Sequence, residues 1–218
     1  MLKKKLLASG LIFYVSSVFP GEVIDWKHET LTALTKVKST LEQNSSQSAL
    51  HDTRFLRWLN EGYNFSVKKA STVLSEDKFF YTLAYYISGF KDPHLYLSAS
   101  NSKTKIPLHF SGMTVYYQYG HYYVNYRDKD NQSIPIHAEL LNCDNVPVDT
   151  LIQKDIMPYN DGSPIYPATY YRRAQQLMLD ANPYRHFPSK CTFKRIFNIA
   201  IPSAQPPTTY SGLISRWA

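Results

Sequence analysis

Residues 85–97 read YYISGFKDPHLYL, and the fold is decided there. A helix-like apolar run ends at Gly89-Phe90, breaks at Asp92-Pro93 and delivers His94 ahead of a short strand-like segment, Leu95 to Leu97. Proline fixes its own φ and lacks the N–H that a helix needs, and histidine changes charge near neutral pH. A stiff turn carrying a titratable ring is one way to hold a catalytic group in place. Upstream of it apolar residues recur at three and four; downstream they recur at two. The pattern predicts an α+β fold. An N-terminal helical bundle over 22–97 precedes a small β-rich module over 98–194, built on a hairpin, with a further helix at 168–179.

Four helices are expected upstream. Residues 25–41 place Trp26, Leu31, Leu34, Val37 and Leu41 on one face, and the polar run 43–48 ends that helix. Phe55, Leu56, Trp58, Leu59 and Tyr63 mark a second, with its break at 60–64, and a third covers 67–74. Ser75 opens the fourth with a hydroxyl at the N-cap and Glu76 and Asp77 in the first turn. Phe79, Leu83, Tyr86, Ile87 and Phe90 form its apolar face, and Gly89 at its end suits a left-handed cap.

Beyond the polar link 98–105, Met113, Val115, Tyr117 and Tyr119 alternate, Gly120-His121 turns, and 122–126 returns as a hairpin. A third strand is expected at 136–142, and Asp144-Asn145 marks a tight turn before Val146. Residues 149–156 begin a helix, and 168–179 is helical with Pro183 beyond it. The proline-containing stretch 195–218 has no clean periodicity and reads as an irregular tail.

The amino terminus reads as a signal peptide. Lys3, Lys4 and Lys5 precede 14 uncharged, mostly apolar residues, 6–19, too short to span a bilayer comfortably. Cleavage is expected after Ser17, or as late as residue 21, and a short membrane anchor is the other reading. A secreted or periplasmic chain follows, with no stable membrane span once the signal is removed. Loss of 1–17 removes three lysines and no acid, taking the formal charge from +7 to +4. The remaining cations are scattered among acids, so nucleic acid is not an expected partner. Cys143 and Cys191 form either one disulfide or two separate buried thiols. No cofactor and no metal is expected.

Taken in order, FLRWLNEGY at 55–63, GFKDPHLYL at 89–97, YYQYGHYYV at 116–124 and AELLNCDNVPVDTLI at 138–152 resemble the N-terminal half of the tail-specific, or C-terminal processing, serine peptidases, relatives of the tricorn core protease. Asn145 stands where that family has Gly, and Pro93 and Leu95 stand where it has Gly and Thr. The resemblance implies an exported protein of a family that cleaves peptides and unfolded proteins, with their C-termini as partners. It also implies a nucleophilic serine on a crotonase-like core C-terminal to these elements. In tricorn-like members that serine pairs with a histidine at the position of His94, and in other members a lysine further on is the base. Ser163, in DGSP, and Ser211, in YSGL, lie on no strand-turn-helix that would aim N–H groups at an oxyanion. The chain is therefore expected to be a truncated, catalytically incomplete N-terminal portion. The alternatives are a stand-alone exported module that binds peptides by strand addition, and a degenerate fragment without stable function.

His94 is the candidate base, or a turn histidine that packs on its loop. Asp92 either orients the ring or closes the turn through its own backbone. Tyr117, Tyr119 and Asn145 are candidate substrate contacts, the tyrosines through flat aromatic faces. One face of that hairpin is otherwise core and the other exposed sheet. His109, His121 and His137 lack carboxylates at a fixed spacing and make a poor metal set. Tyr170-Tyr171-Arg172-Arg173 either holds a carboxylate or forms a snorkelling helix face.

Overall fold

A computed structural model describes residues 24–92, 94–97, 108–160 and 165–194. The expected signal peptide, the link 98–105, Pro93, Ser163, Ser211 and the tail 195–218 lie outside the described residues. Within them the α+β class holds: helices come first and antiparallel sheet follows.

Helix α1, Trp26–Asn44, starts where the Asp25 carboxylate accepts the N–H groups of Lys27 and His28, and α3, Thr53–Ala70, starts on Asp52 in the same way. Each acid satisfies donors that a first helical turn leaves without partners. Between them a single turn, α2, Ser46–Ala49, occupies part of the run read as a plain polar break. Helix α4, Glu76–Ser88, follows Ser75, whose hydroxyl bonds the Asp77 carboxylate rather than a backbone N–H. In α1 the buried face takes Thr30 in place of the expected Leu31, which is 39% exposed; the Thr30 hydroxyl is satisfied by the Trp26 carbonyl.

The expected break at 60–64 is absent, and α3 is one helix. Gly62 weakens a helix by propensity, yet it serves packing here. A Cβ on Gly62 would lie 2.5 Å from Cε2 of Trp58, and one on Gly89 would overlap the same ring. The indole sits over both glycines and donates from Nε1 to the Tyr86 carbonyl at 2.8 Å, tying α3 to α4. Leu34, Leu41, Leu59, Leu83 and Tyr86 fill the helical core around it.

Residues 95–97 form no strand. Leu95 and Leu97 instead pack on the helical core, so their alternation reflects burial and not sheet pairing. The hairpin is β2, Met113–Gln118, with β3, His121–Arg127, and Gln118 pairs with His121. Its two-residue turn is Tyr119-Gly120, one position earlier than expected, because those residues take φ 50° and 88°. Positive φ at both positions is the turn whose twist matches the strands. Strand β4, Glu139–Cys143, starts later than the expected 136, after His137 at φ 68°. Asp144 and Asn145, φ 48° and 63°, turn the chain into β5, Val146–Pro147, and Asn145 takes the left-handed conformation that glycine usually supplies. Two-residue β1, His109–Phe110, pairs with β6, Leu179–Asp180.

The open question of the cysteines closes: Cys143 and Cys191 form a disulfide. It joins β4 to β7, Cys191–Lys194, a strand not anticipated from sequence. The Asp144 carboxylate holds the approach to β7 by accepting the N–H groups of Ser189 and Lys190. Strand β4 is thus flanked by β7 along one side and by β3 and then β5 along the other.

Helix α5, Val148–Leu151, runs into a wider π turn at Ile152–Ile156 and a tight turn at Met157–Tyr159. Helix α6, Pro167–Arg173, tightens over Ala174–Leu177 and stops short of the expected 179. There the Arg185 guanidinium takes the carbonyls of Gln176 and Leu177, leaving Leu179-Asp180 free to pair as β6. Val115, Val124, Leu140, Ile152, Ile156 and Leu177 form this second core. The two cores meet through a polar tyrosine layer. Lys69 donates to the Tyr159 hydroxyl at 2.8 Å and lies 3.5 Å from the centre of the Tyr184 ring, while the Thr82 and Tyr184 hydroxyls are 2.9 Å apart.

Candidate active site

The chain leaves α4 through Gly89, which is right-handed (φ −69°), so its value is space for the Trp58 ring rather than a left-handed cap. Lys91 is the left-handed residue, at φ 56°, and its backbone N–H bonds the Ser88 carbonyl. That reversal aims the next residue back toward α2.

Asp92 then gathers three donors. Its Oδ1 accepts the backbone N–H of His94 at 2.9 Å and lies 3.0 Å from Nδ1 of the His94 ring. Its Oδ2 accepts Nε2 of Gln47 at 2.8 Å. The Asp92 side chain thus contacts both the backbone of the turn and the imidazole. Burial alone would raise its carboxyl, but the Gln47 amide, the His94 N–H and the His94 ring outweigh it and hold the group below the usual carboxylate range. An ionised carboxylate only accepts, so in the neutral imidazole this contact assigns the proton to Nδ1 and leaves the lone pair on Nε2. The Asp92 side chain is 15% exposed and the His94 side chain 88%, so that lone pair faces outward. A histidine hydrogen-bonded to a carboxylate is geometry that general-base chemistry can use. Among the described residues, no serine hydroxyl is hydrogen-bonded to the ring.

The candidate substrate contacts lie apart from this pair. Tyr117 is half-buried and stacks on Tyr170 at 5.4 Å, while Tyr119 is 89% exposed at the hairpin tip. Asn145 occupies the β4–β5 turn. No hydrogen bond or ring contact joins any of the three to Asp92 or His94.

His109, His121 and His137 are likewise separate: the first packs on Phe187, the second bonds Glu139, and the third buries Nδ1 without a partner. Among the described residues no three His, Cys, Asp or Glu side chains are grouped to hold a metal ion. Arg173 is buried rather than snorkelling, and burial lowers its guanidinium to about 10 against the opposing pull of Asp180. An open cleft of about 410 Å³ is lined by Tyr126, Arg127, Asp128, Lys129, Gln132 and Ile136, away from His94.

Gln47 was missed by sequence reading. Ser45 as an N-cap in a polar run was the available sign of a helical turn, but the 45 residues separating Gln47 from Asp92 hid their contact.

No protein-family model and no curated protein sequence matches the chain. Solved structures do. Mature CPAF, a chlamydial tail-specific or C-terminal processing serine protease, in complex with lactacystin, is 18% identical at a TM-score of 0.55. The match covers 78% of this chain and 32% of CPAF. A serine-to-alanine variant of CPAF is 19% identical at a TM-score of 0.53, covering 78% and 32%. Mature CPAF alone gives 18% and 0.50, covering 68% and 28%. The chain therefore shares its fold with part of a serine protease and spans about a third of that protein's length. No helix among the described residues is long and apolar enough to cross a membrane.

Proposed function

We propose that this chain supplies the general-base part of an exported serine-type peptidase acting on peptides or unfolded proteins. The observation that carries the reading is the Asp92–His94 pair, 3.0 Å between Oδ1 and Nδ1 with Nε2 open. In such chemistry Nε2 takes the hydroxyl proton as a serine attacks the carbonyl, and the ionised Asp92 stabilises the imidazolium that forms. The likeness in fold to CPAF supports the same reading, and the disulfide supports an oxidising compartment. Among the described residues no serine hydroxyl meets the ring, and our reading is that the chain by itself does not cleave.

Hydrolysis of p-nitrophenyl acetate, which an imidazole promotes without a serine, tests the base directly. The rate is expected to fall on His94→Ala and by a smaller factor on Asp92→Asn. Rates equal to that of the unaltered chain would sink the reading. A serine-directed phosphonate is expected not to label the chain; labelling of one serine, weakened by His94→Ala, would show a complete site instead.

Capture of extended peptides by strand addition is a second reading, favoured by the sheet's edges. Among the described residues β2 pairs only with β3, and β7 only with β4. Saturable calorimetric binding of a peptide with a free C-terminus is the expected result, and absence of binding would remove it.

A further inference from the structure

We infer that Gln47 is a positioning residue for His94, acting through Asp92: it holds Oδ2 so that Oδ1 fixes the ring with Nε2 outward. The inference rests on reading His94 as a base.

A carboxylate two residues from a histidine can turn about its own side-chain bonds. With one oxygen already on the His94 N–H and ring, a donor on the other oxygen removes that rotation. Gln47 is itself fixed. The Ser45 hydroxyl accepts the Gln47 backbone N–H at 3.2 Å and donates its single proton to Oε1 at 2.9 Å. The amide carbonyl is thereby committed to Ser45, and the NH₂ is left for the acceptor-only carboxylate. Swapping the amide's ends would set a carbonyl oxygen against the acceptor-only Oδ2 and break the bond to Asp92.

The surrounding turn has no other evident purpose. Helix α2 buries none of its residues, and four residues are too few to be helical on propensity. It is held by backbone and hydroxyl bonds: Asp52 N–H to the Gln47 carbonyl at 2.9 Å and Ser48 Oγ to the Glu42 carbonyl at 2.8 Å. What this turn presents to the rest of the molecule is the Gln47 side chain, on a residue 45 positions away. Of the three hydrogen bonds that lower the Asp92 carboxyl, that from Gln47 is the largest contributor.

The test is the tautomer of His94, read by long-range proton–nitrogen NMR on the full ¹⁵N-labelled chain near pH 8, with His94→Ala identifying the signal. The unaltered chain is expected to show one tautomer, protonated at Nδ1. Gln47→Glu, isosteric but lacking the donor, and Gln47→Ala should each give a mixture. Backbone signals of α3 and α4 should stay in place. Ser45→Ala, which frees the amide to swap ends, is a milder variant expected to shift the same signal. The His94-dependent ester hydrolysis should fall in Gln47→Glu by the same factor as in Asp92→Asn. An unchanged Nδ1–H tautomer in all Gln47 variants, with Asp92→Asn still disturbing it, would overturn the inference and leave the base reading standing. If Asp92→Asn also leaves the tautomer unchanged, the pairing itself fails, and both fall together.

Discussion

Gly62→Ala should destabilise this protein, although helix propensity alone says the reverse. Gly62 lies inside α3, where alanine is favoured over glycine by about 1 kcal/mol. The new Cβ would stand 2.5, 2.8 and 2.9 Å from three atoms of the Trp58 ring. Ordinary carbon contacts are about 3.5–4.0 Å, so the indole must retreat by roughly 1 Å. It is not free to do so, because Nε1 is bonded to the Tyr86 carbonyl and Gly89 is packed under the same ring. Overpacking costs about 1–3 kcal/mol and a strained or lost hydrogen bond about 1 kcal/mol. Against the propensity gain, the net expectation is a loss of about 2 kcal/mol in the free energy of unfolding. In a Trp58→Ala background the space is empty, and the same substitution should stabilise by about 1 kcal/mol. Urea unfolding followed by circular dichroism, on the two single variants and the double variant, measures both values and a coupling of about 3 kcal/mol. Stabilisation by Gly62→Ala in the unaltered background would refute the argument that the indole, and not backbone freedom, requires glycine here.

Three further expectations come from other parts of the fold. Replacing both Cys143 and Cys191 by Ser opens a loop of 48 residues and should lower stability by about 4 kcal/mol on the chain-entropy account, read from urea midpoints; an unchanged midpoint would show the bond to be energetically idle. Burial lowers Lys69 to about 8, so between there and its ordinary value the unfolded chain binds more protons and stability should rise with pH. Tyr159, raised to about 12 by burial and by Tyr184, Tyr85 and Asp155, should reverse the trend above about 10. Lys69→Met is expected to abolish the rising limb; a flat profile in the unaltered chain would mean that the surrounding rings' attraction for the ammonium cancels its burial. Finally, Tyr119→Asn relieves a left-handed tyrosine at φ 50° and should raise the thermal midpoint by the equivalent of up to about 1 kcal/mol, whereas a fall would show that the exposed ring contributes contacts of its own.

Much of this architecture was legible because it is local. The buried faces of α1 and α4, the hairpin and the left-handed Asn145 each follow from spacing or from one residue's conformational range. The errors share a cause. The run 60–64, with Gly62 inside it, looked like a helix break and Gly89 like a left-handed cap, because a glycine's reason cannot be seen without the ring that fills its missing side chain. Leu95 and Leu97 alternated like a strand, yet among the described residues no strand pairs with them and the helical core takes both. The α6 region was read too long because the arginine that donates to its last carbonyls, Arg185, lies beyond the helix itself.

The candidate site divides in the same way. Asp92 and His94 are two residues apart, so their pairing is a property of one turn and could be weighed from the sequence. Gln47 meets Asp92, Lys69 meets Tyr184 and Cys143 meets Cys191 only after helices and strands have packed. Sequence by itself determined the periods, the turns and a histidine beside a carboxylate. Tertiary structure decided which glycines hold an indole, whether the cysteines join, and which way the ring of His94 faces. Side-chain partners distant along the chain are chosen by packing, and packing is a property of the whole fold.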